Sequence, residues 1–404
     1  MMKITTYLFG FVLLGATVAC NNNSSEKNDT LTLNRDFIDS QLNDAVSQYK
    51  VLAANLNDTL VPKSYYKDND SLETSKTSWW TSGFYPGTLL YLYEHSADTT
   101  ILKEVEEKLS LLEKEKENKR THDLGFMLYC SFGNANRLTE NPHYKQVMLT
   151  GAESLLTRYN PTVKSIRSWD HNKDKWQFPV IIDNMMNLEF LNWASRESGD
   201  SKYADVAKSH ANTTMKNHFR DDYSSYHVID YDTITGAVRH KHTAQGAGDE
   251  TAWARGQAWG LYGYTMMFRD TKDSAYLQQA VHIADFILNH PNLPEDNIPY
   301  WDFDAENIPE AKRDASAGAI IASALLELQG YGNQDQQKRY LAAAERMISS
   351  LASSNYKAKA GANGGFILEH SVGHLTANSE VDVPLTYADY YYIEALMRYK
   401  NLLK

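Results

Sequence analysis

Two aspartates stand in sequence contexts where a carboxyl group could take part in catalysis. Asp123 follows His122 at a predicted helix start, and Asp183 lies within the apolar stretch 178–186. Burial raises the pKa of a carboxyl, and a carboxyl that stays protonated near neutral pH can act as a general acid. Either aspartate could instead cap its helix by accepting backbone N–H bonds, so neither is specific by itself.

A second candidate constellation is a basic residue beside an aromatic one. Arg255 and Trp259 are four residues apart, so on a helix they share one face. Such a pair would suit a sugar acid, because the guanidinium can pair with the carboxylate while the indole stacks on the ring. An ordinary cation–π contact within the fold is the alternative. Trp80 stands at another loop-to-helix junction, where an exposed indole could also bind a ligand.

The histidines do not indicate a metal site. His240 and His242 alternate on a predicted strand, and no spaced carboxylate or cysteine completes a ligand set. The sequence also lacks a phosphate-binding loop, a dinucleotide fingerprint and a nucleophile elbow. We therefore expect neither a metal nor an organic cofactor.

The elements that must position these residues are helices. Amphipathic spacing predicts twelve of them, which would pair into six hairpins and close into an all-α (α/α)6 barrel. Two strands, at 226–229 and 237–242, are predicted to form a hairpin. The helices are predicted at 36–56, 83–95, 100–117, 123–137, 142–158, 182–198, 201–218, 252–269, 273–289, 315–330, 335–353 and 387–402.

Long loops are predicted on one face of this barrel. Each of the five follows an odd-numbered helix, which brings them to the same rim, and loops on a rigid scaffold commonly carry binding residues. They span 57–82, 159–181, 219–251, 290–314 and 354–386.

Charge and the N-terminus constrain partners and location. The formal net charge of -11 argues against nucleic acid as a partner, whereas local basic residues could still hold an anionic sugar.

Residues 1–19 have a lysine, an apolar run and small residues before Cys20, which predicts a lipoprotein signal peptide. We expect lipidation of Cys20, a polar tether at 20–35 and a catalytic domain at 36–404. The lipid would be the protein's sole membrane contact, placing it in the periplasm or at the cell surface.

Four stretches together resemble the unsaturated glucuronyl hydrolases, glycoside hydrolase family 88. The likeness runs from about Trp79 to the region of residue 391, and the motifs match in order as well as content. The stretches are Trp80-Thr81-Ser82-Gly83-Phe84-Tyr85-Pro86-Gly87, His122-Asp123-Leu124-Gly125-Phe126, Ile182-Asp183-Asn184 and Trp253-Ala254-Arg255-Gly256-Gln257-Ala258-Trp259.

The resemblance implies a barrel of the predicted kind and an unusual hydrolysis. Asp183 matches the family's general acid/base, and Asp123 its second essential carboxylate. The substrate would be an oligosaccharide with a 4,5-unsaturated uronic acid at its non-reducing end, hydrated across the C4=C5 enol ether without a cofactor. The residues that match the sugar-binding positions are Trp80, His122, Trp169, His227, Gln245, Arg255 and Trp259.

Three alternatives remain open on the sequence alone. One is a related hydrolase of unsaturated galacturonyl ends of pectin fragments, against which the His122-Asp123 pair weighs. Another is a non-catalytic glycan-binding lipoprotein, and the third is a sugar epimerase on a similar barrel. The sequence does not distinguish heparan, chondroitin and hyaluronan as sources of the substrate, nor does it reveal a sulfation preference.

Overall fold

The computed structural model describes residues 1–2 and 33–404, and it contains the twelve predicted helices. Cys20, most of the predicted signal peptide and most of the tether lie outside the described residues. The helices are α1 (Arg35–Ala54), α2 (Phe84–Ser96), α3 (Thr99–Leu112), α4 (Asn134–Thr139), α5 (Pro142–Leu156), α6 (Leu188–Ser198), α7 (Lys202–Asn217), α8 (Ala254–Thr271), α9 (Ser274–Asn289), α10 (Ala315–Leu328), α11 (Gln334–Leu351) and α12 (Thr386–Leu402).

The even-numbered helices form a closed inner ring. Each contacts the next, with α4 taking part through the helical turns before it, and α12 returns to contact α2. The odd-numbered helices pack around the outside, so the predicted (α/α)6 barrel is confirmed. No helix within 33–404 combines the length and apolar character needed to cross a membrane.

Sequence composition explains which helices lie inside. Every residue of α10 except Glu327 is buried, and its many small side chains let neighbouring helices approach closely. By contrast, α11 buries only a stripe that includes Tyr340, Ala344 and Met347. A helix that is apolar all round belongs in a protein interior, whereas a striped one covers a core and faces water.

Two of the predicted helices begin irregularly. The segment predicted as helix at 123–137 is a π-helix over Gly125–Gly133 followed by α4. The segment predicted at 182–198 starts as a 3₁₀ helix over Ile182–Asn187 before α6. These two irregular turns contact each other, so tertiary packing rather than local propensity sets their geometry.

Strands are more numerous than predicted. The described residues contain four small antiparallel sheets. The predicted hairpin is present as β6 (Val228–Tyr231) and β7 (Val238–His242), with β5 (Pro179–Ile181) as a third strand. The other three hairpins were not predicted. The strands are β1 (Val61–Tyr66), β2 (Ser71–Ser75), β3 (Tyr159–Asn160), β4 (Ser165–Ile166), β5 (Pro179–Ile181), β6 (Val228–Tyr231), β7 (Val238–His242), β8 (Ser371–His374) and β9 (Ser379–Val383).

The long loops meet at one rim, as predicted. Ser64 of β1 bridges to Leu385 before α12, and Trp253 before α8 bridges to Asp302 in the next long loop. The imidazole of His374 in β8 lies 2.8 Å from the carbonyl oxygen of Ala244. The rim thus joins segments that are far apart in the chain, at the N-terminal ends of the inner helices.

Candidate active site

Asp123 lies at this rim, just before the π-helix that starts at Gly125. Its backbone carbonyl accepts a hydrogen bond from the Met127 N–H at 2.9 Å. The Thr121 hydroxyl donates to the Asp123 carboxyl at 3.2 Å. The π-helix has no side-chain cap hydrogen bond, so the Asp123 side chain is not the helix cap considered above. His122 Nε2 lies 3.1 Å from Asp123 Oδ1, and burial lowers the pKa of His122 to about 3. His122 is therefore neutral beside an Asp123 side chain that is 13% exposed.

Asp183 is the second residue of the 3₁₀ helix that follows β5. The N–H of Ile182 donates to the carbonyl of His227 at 3.0 Å, so pairing of β5 with β6 fixes where the 3₁₀ helix begins. The Asp183 side chain is 11% exposed, and its Oδ2 has no hydrogen-bond partner among the described residues. A buried carboxylate oxygen without a hydrogen-bond partner raises the free energy of the ionised form. The same oxygen is available to exchange a proton with a bound molecule.

Both carboxyls have pKa values near neutrality. Burial raises the pKa of Asp183 to about 7; the negative charge of Asp123 adds to this effect, while Arg255 and the nearby Trp259 indole oppose it. Burial likewise raises the pKa of Asp123 to about 7. Because the charge of Asp123 acts on Asp183, ionisation of one carboxyl disfavours ionisation of the other. One can then donate a proton while the other stays negative.

His227 faces Asp183 in a defined tautomer. Its Nδ1 accepts hydrogen bonds from the backbone N–H groups of Ala244 and Gln245, at 3.0 and 3.1 Å. Burial holds the pKa of His227 well below its ordinary value, so the ring is neutral and its proton is on Nε2. That nitrogen lies 3.8 Å from Asp183 Oδ2. The Trp253 ring packs against the imidazole with 4.6 Å between centroids and supports this orientation.

Arg255 is 1% exposed and is held by protein acceptors. Both of its terminal nitrogens donate to carbonyl oxygens of β8, and Nη1 also lies 3.2 Å from Asp314 Oδ2. The guanidinium carbon lies 4.5 Å from the centroid of the Trp253 ring. The cation–π contact within the fold, considered above as the alternative, is thus present, with Trp253 rather than Trp259. Direct pairing of Arg255 with a sugar carboxylate stays a prediction, for which only Nε lacks a protein partner.

We expect Arg255→Ala to lower kcat/KM by at least tenfold. The substitution removes the residue predicted to pair with the sugar carboxylate and the positive charge that acts on Asp183. It also leaves Asp314 without its buried cation, which costs about 3–5 kcal/mol of folding stability. Steady-state kinetics on an unsaturated uronyl disaccharide, the substrate that the sequence resemblance implies, would measure the loss. Arg255→Lys keeps the positive charge but not the planar set of donors, so its kcat/KM should lie between those of the wild type and Arg255→Ala. A folded Ala variant within threefold of the wild type would contradict this prediction.

Trp259 differs from its expected role as an exposed stacking platform. It is 0% exposed, and its ring packs against Phe126 and Tyr391 at centroid distances of 5.1 and 5.4 Å. As a residue of an inner helix it lies beneath the rim, because rings from the π-helix and from α12, which are not the ring neighbours of α8, pack against it. Its Nε1 has no hydrogen-bond partner among the described residues, and its indole lies near enough to Asp183 to oppose the rise in the pKa of that carboxyl.

Three other predicted residues lie partly exposed at the rim. Trp80 packs against Tyr387 at 5.0 Å between centroids, leaving part of its indole open. Trp169 meets the edge of His227 at 6.3 Å. The Gln245 side chain donates to a carbonyl of β8 at 3.3 Å. The tertiary structure therefore brings Trp169, His227 and Gln245 to the side of the site that holds Asp183.

The sequence prediction overlooked two residues that shape this site. Trp253 lies between His227 and Arg255 and contacts both. Asp314 caps α10 by accepting the Ser316 N–H at 3.0 Å and uses its other oxygen to pair with Arg255. Trp253 stands in the same motif as Arg255, which was a usable signal. Asp314 carries the pattern of a helix cap, and nothing local indicates its distant partner.

No cluster of three or more potential metal-ligating side chains occurs within the described part of the chain. A separate cavity of about 470 Å³ lies among α2, α4, α6 and α12, and includes Glu394 and Arg398. Glu394 Oε1 accepts hydrogen bonds from the hydroxyls of Tyr91 and Tyr262 at 3.1 Å, and Arg398 lies 3.7 Å from its Oε2, so this carboxyl has partners inside the protein. Neither Asp123 nor Asp183 lines this cavity, and we place the chemistry at the rim.

A closed barrel of helical hairpins with two carboxyls of raised pKa at its loop-bearing rim is the arrangement expected of an (α/α)6-barrel glycoside hydrolase. No family model matches the chain. It is 52% identical over 325 residues to the unsaturated glucuronyl hydrolase of Formosa agariphila, covering 80% of each chain. It is 34% identical to the unsaturated chondroitin disaccharide hydrolase of Streptococcus pyogenes, covering 84% of this chain and 85% of the relative.

Solved structures agree with these relatives. The crystal structure of an unsaturated glucuronyl hydrolase specific for heparin superposes with a TM-score of 0.88 at 50% identity, covering 92% of this chain and 100% of the other. The unsaturated glucuronyl hydrolase of Bacillus sp. GL1 gives a TM-score of 0.85 at 27% identity, covering 91% and 97%. The chain belongs to the unsaturated glucuronyl hydrolase family, which confirms the resemblance noted in the sequence.

Proposed function

We propose that the protein removes 4,5-unsaturated glucuronic acid from the non-reducing end of glycosaminoglycan oligosaccharides produced by lyases. The observation that carries the proposal is the pair Asp123 and Asp183, two carboxyls with raised pKa values on adjoining turns in a member of this family. The 50% identity to a heparin-specific relative makes unsaturated heparin disaccharides the first substrates to test.

The proposed reaction is hydration of an enol ether. Asp183 donates its proton to C4, and positive charge develops at C5 and the ring oxygen. Asp123, ionised, stabilises that charge. Water then adds to C5 and returns a proton to the Asp183 carboxylate. The resulting hemiketal opens and releases the glycosidic partner, so the anomeric carbon is not attacked and the retaining and inverting schemes do not apply.

A panel of lyase-derived disaccharides tests the proposal. Loss of ultraviolet absorbance from the conjugated double bond should accompany release of the partner sugar from unsaturated heparin or chondroitin disaccharides. Saturated disaccharides serve as the control, because they lack the enol ether and should remain intact. Exclusive activity on unsaturated galacturonyl ends of pectin fragments would favour the pectin alternative. Saturable binding of unsaturated disaccharides without turnover would favour a glycan-binding protein.

We expect kcat/KM to be highest near pH 7 and to fall on both sides, because Asp183 must be protonated to donate and Asp123 must be ionised to stabilise the positive charge.

The raised pKa of Asp183 also makes the stability of the fold depend on pH. Folding raises this pKa above its ordinary 3.8, so the stability contribution is complete below 3.8 and is lost as the pH rises through about 7. Melting temperatures at pH 5 and pH 8 would measure this loss. The Asp123→Asn, Asp183→Asn double variant should show a weaker pH dependence, and an unchanged one would contradict the assignment.

We further propose that Cys20 carries a lipid that anchors the protein in the periplasm or at the cell surface. The support is the signal-peptide pattern of residues 1–19, which ends in small residues before Cys20. Cys20→Ser should move the protein from the membrane fraction to the soluble fraction while its specific activity is retained. Cys130→Ser is the matched control and should leave the distribution unchanged. A wild-type protein that fractionates as soluble would overturn the proposal.

A further inference from the structure

The turns that carry the two aspartates are joined directly by one buried side chain. Asn187 ends the 3₁₀ helix that contains Asp183, and Gly125 begins the π-helix that follows Asp123. The Gly125 N–H donates to Asn187 Oδ1 at 2.7 Å. Asn187 is 0% exposed, so water does not compete for this bond.

The amide of Asn187 is held from its other side as well. Its Nδ2 donates to Asn184 Oδ1 at 3.1 Å, and Asn184 Nδ2 donates in turn to the carbonyl of Ile166 in β4 at 2.7 Å. These donors and acceptors require the oxygen of the Asn187 amide to face Gly125. The chain of bonds runs from one irregular turn through the other and into a strand of the rim.

The close approach leaves no room for a side chain at position 125. A Cβ atom on Gly125 would lie 2.6 Å from Asn187 Oδ1 and 2.8 Å from its Cα. Glycine is therefore required here by contact rather than by backbone conformation. A displacement of Asn187 would be transmitted to Gly125, and through the first π turn to Asp123, whose carbonyl accepts from Met127.

We propose that Asn187 is a positioning residue that sets the separation between the carboxyls of Asp123 and Asp183. The inference rests on the proposed function, in which one carboxyl donates a proton while the other stabilises the positive charge. Misplacement of a catalytic group by about 1 Å can cost about 10²-fold in rate. Since the charge of Asp123 contributes to the raised pKa of Asp183, a wider separation would also lower that pKa.

Three variants test this role by steady-state kinetics across pH. Asn187→Ser is too short to reach Gly125, and its kcat should fall about 10–100-fold while KM stays within about threefold. The basic limb of the pH profile of kcat/KM should move to lower pH in this variant. Asn187→Asp retains an oxygen for the Gly125 N–H, so its kcat should lie between those of Asn187→Ser and the wild type. Its added negative charge should not shift the basic limb of kcat/KM to lower pH. Asn192→Ser, at a buried asparagine that instead contacts Met267, is the control and should keep the wild-type kcat.

A folded Asn187→Ser variant with kcat within threefold of the wild type and an unshifted pH profile would overturn the inference. If that variant does not fold, Asn184→Ser replaces it. This variant leaves the Gly125 bond but releases the Asn187 amide, so the same changes should appear at smaller size, and their absence would also overturn the inference. A wild-type protein inactive on every unsaturated disaccharide would contradict the proposed function instead, which separates the two failures.

Discussion

Asp183→Asn should reduce kcat by at least about 10²–10⁴-fold, the range lost when a general acid is removed. The asparagine amide preserves the size and shape of the side chain but has no acidic proton to transfer near neutral pH. The buried setting of Asp183 raises its pKa and leaves one oxygen unpartnered, so the effect should fall on the chemical step rather than on folding. Ultraviolet loss under substrate saturation would measure it.

The route of the proton gives an independent check of the same role. Hydrolysis by the wild type in D₂O should place deuterium at C4 of the released keto sugar. The spectrum must be taken at early times, because protons next to the new ketone exchange with solvent. Since attack is at C5, α- and β-linked unsaturated substrates should both be cleaved. Solvent ¹⁸O at C1 with no deuterium at C4 would show ordinary glycosidic cleavage and exclude the mechanism.

Asp389→Asn is the matched control for burial. Burial raises the pKa of Asp389 to about 7 as well, but its carboxyl accepts the backbone N–H groups of Ile367 and Leu368 at 2.9 Å. Replacement should destabilise the fold while the folded fraction keeps its kcat within threefold. If Asp389→Asn and Asp183→Asn lost activity equally while folded, the loss would reflect a buried aspartate in general, and the special role of Asp183 would be lost.

Asp123→Asn should lower kcat by about 10²–10³-fold through loss of the negative charge that stabilises the developing cation. It should also move the basic limb of kcat/KM to lower pH, because the charge of Asp123 contributes to the raised pKa of Asp183. A pH series of kcat and kcat/KM measures both effects. A severe loss with no shift of the limb would mean that Asp123 acts on the sugar without coupling to Asp183.

Helix number and barrel closure followed from the periodicity of apolar residues. Inner and outer helices differ in sequence: an inner helix such as α10 is apolar on every side, whereas an outer helix such as α11 has a single apolar stripe. The missed strands belong to hairpins at the rim, where long-range partners supply much of the stabilisation. Ser64, for example, bridges to Leu385, more than 300 residues away, and no local pattern encodes that contact.

The site was predicted where its residues are contiguous in motifs. Asp123, His122 and Asp183 were identified from their neighbours together with the family resemblance, and the structure brings both aspartates to adjoining turns. The role of Trp259 differed because a helical spacing of four says which residues share a face, but not whether that face meets solvent. In the barrel, that face turns inward, and Trp253 takes the place beside Arg255.

The sequence by itself determined the helices, the barrel they close and the loop-bearing rim, because apolar periodicity is a local property. The two aspartates were identified from contiguous motifs together with the family resemblance. Only the tertiary structure decided the protonation and geometry of the site. The raised pKa values of Asp123 and Asp183 arise from burial by segments distant in the chain. The tautomer of His227 depends on backbone N–H groups of Ala244 and Gln245, 17 and 18 residues away. Such effects depend on which groups meet in space, and that is settled only when the chain has closed its core.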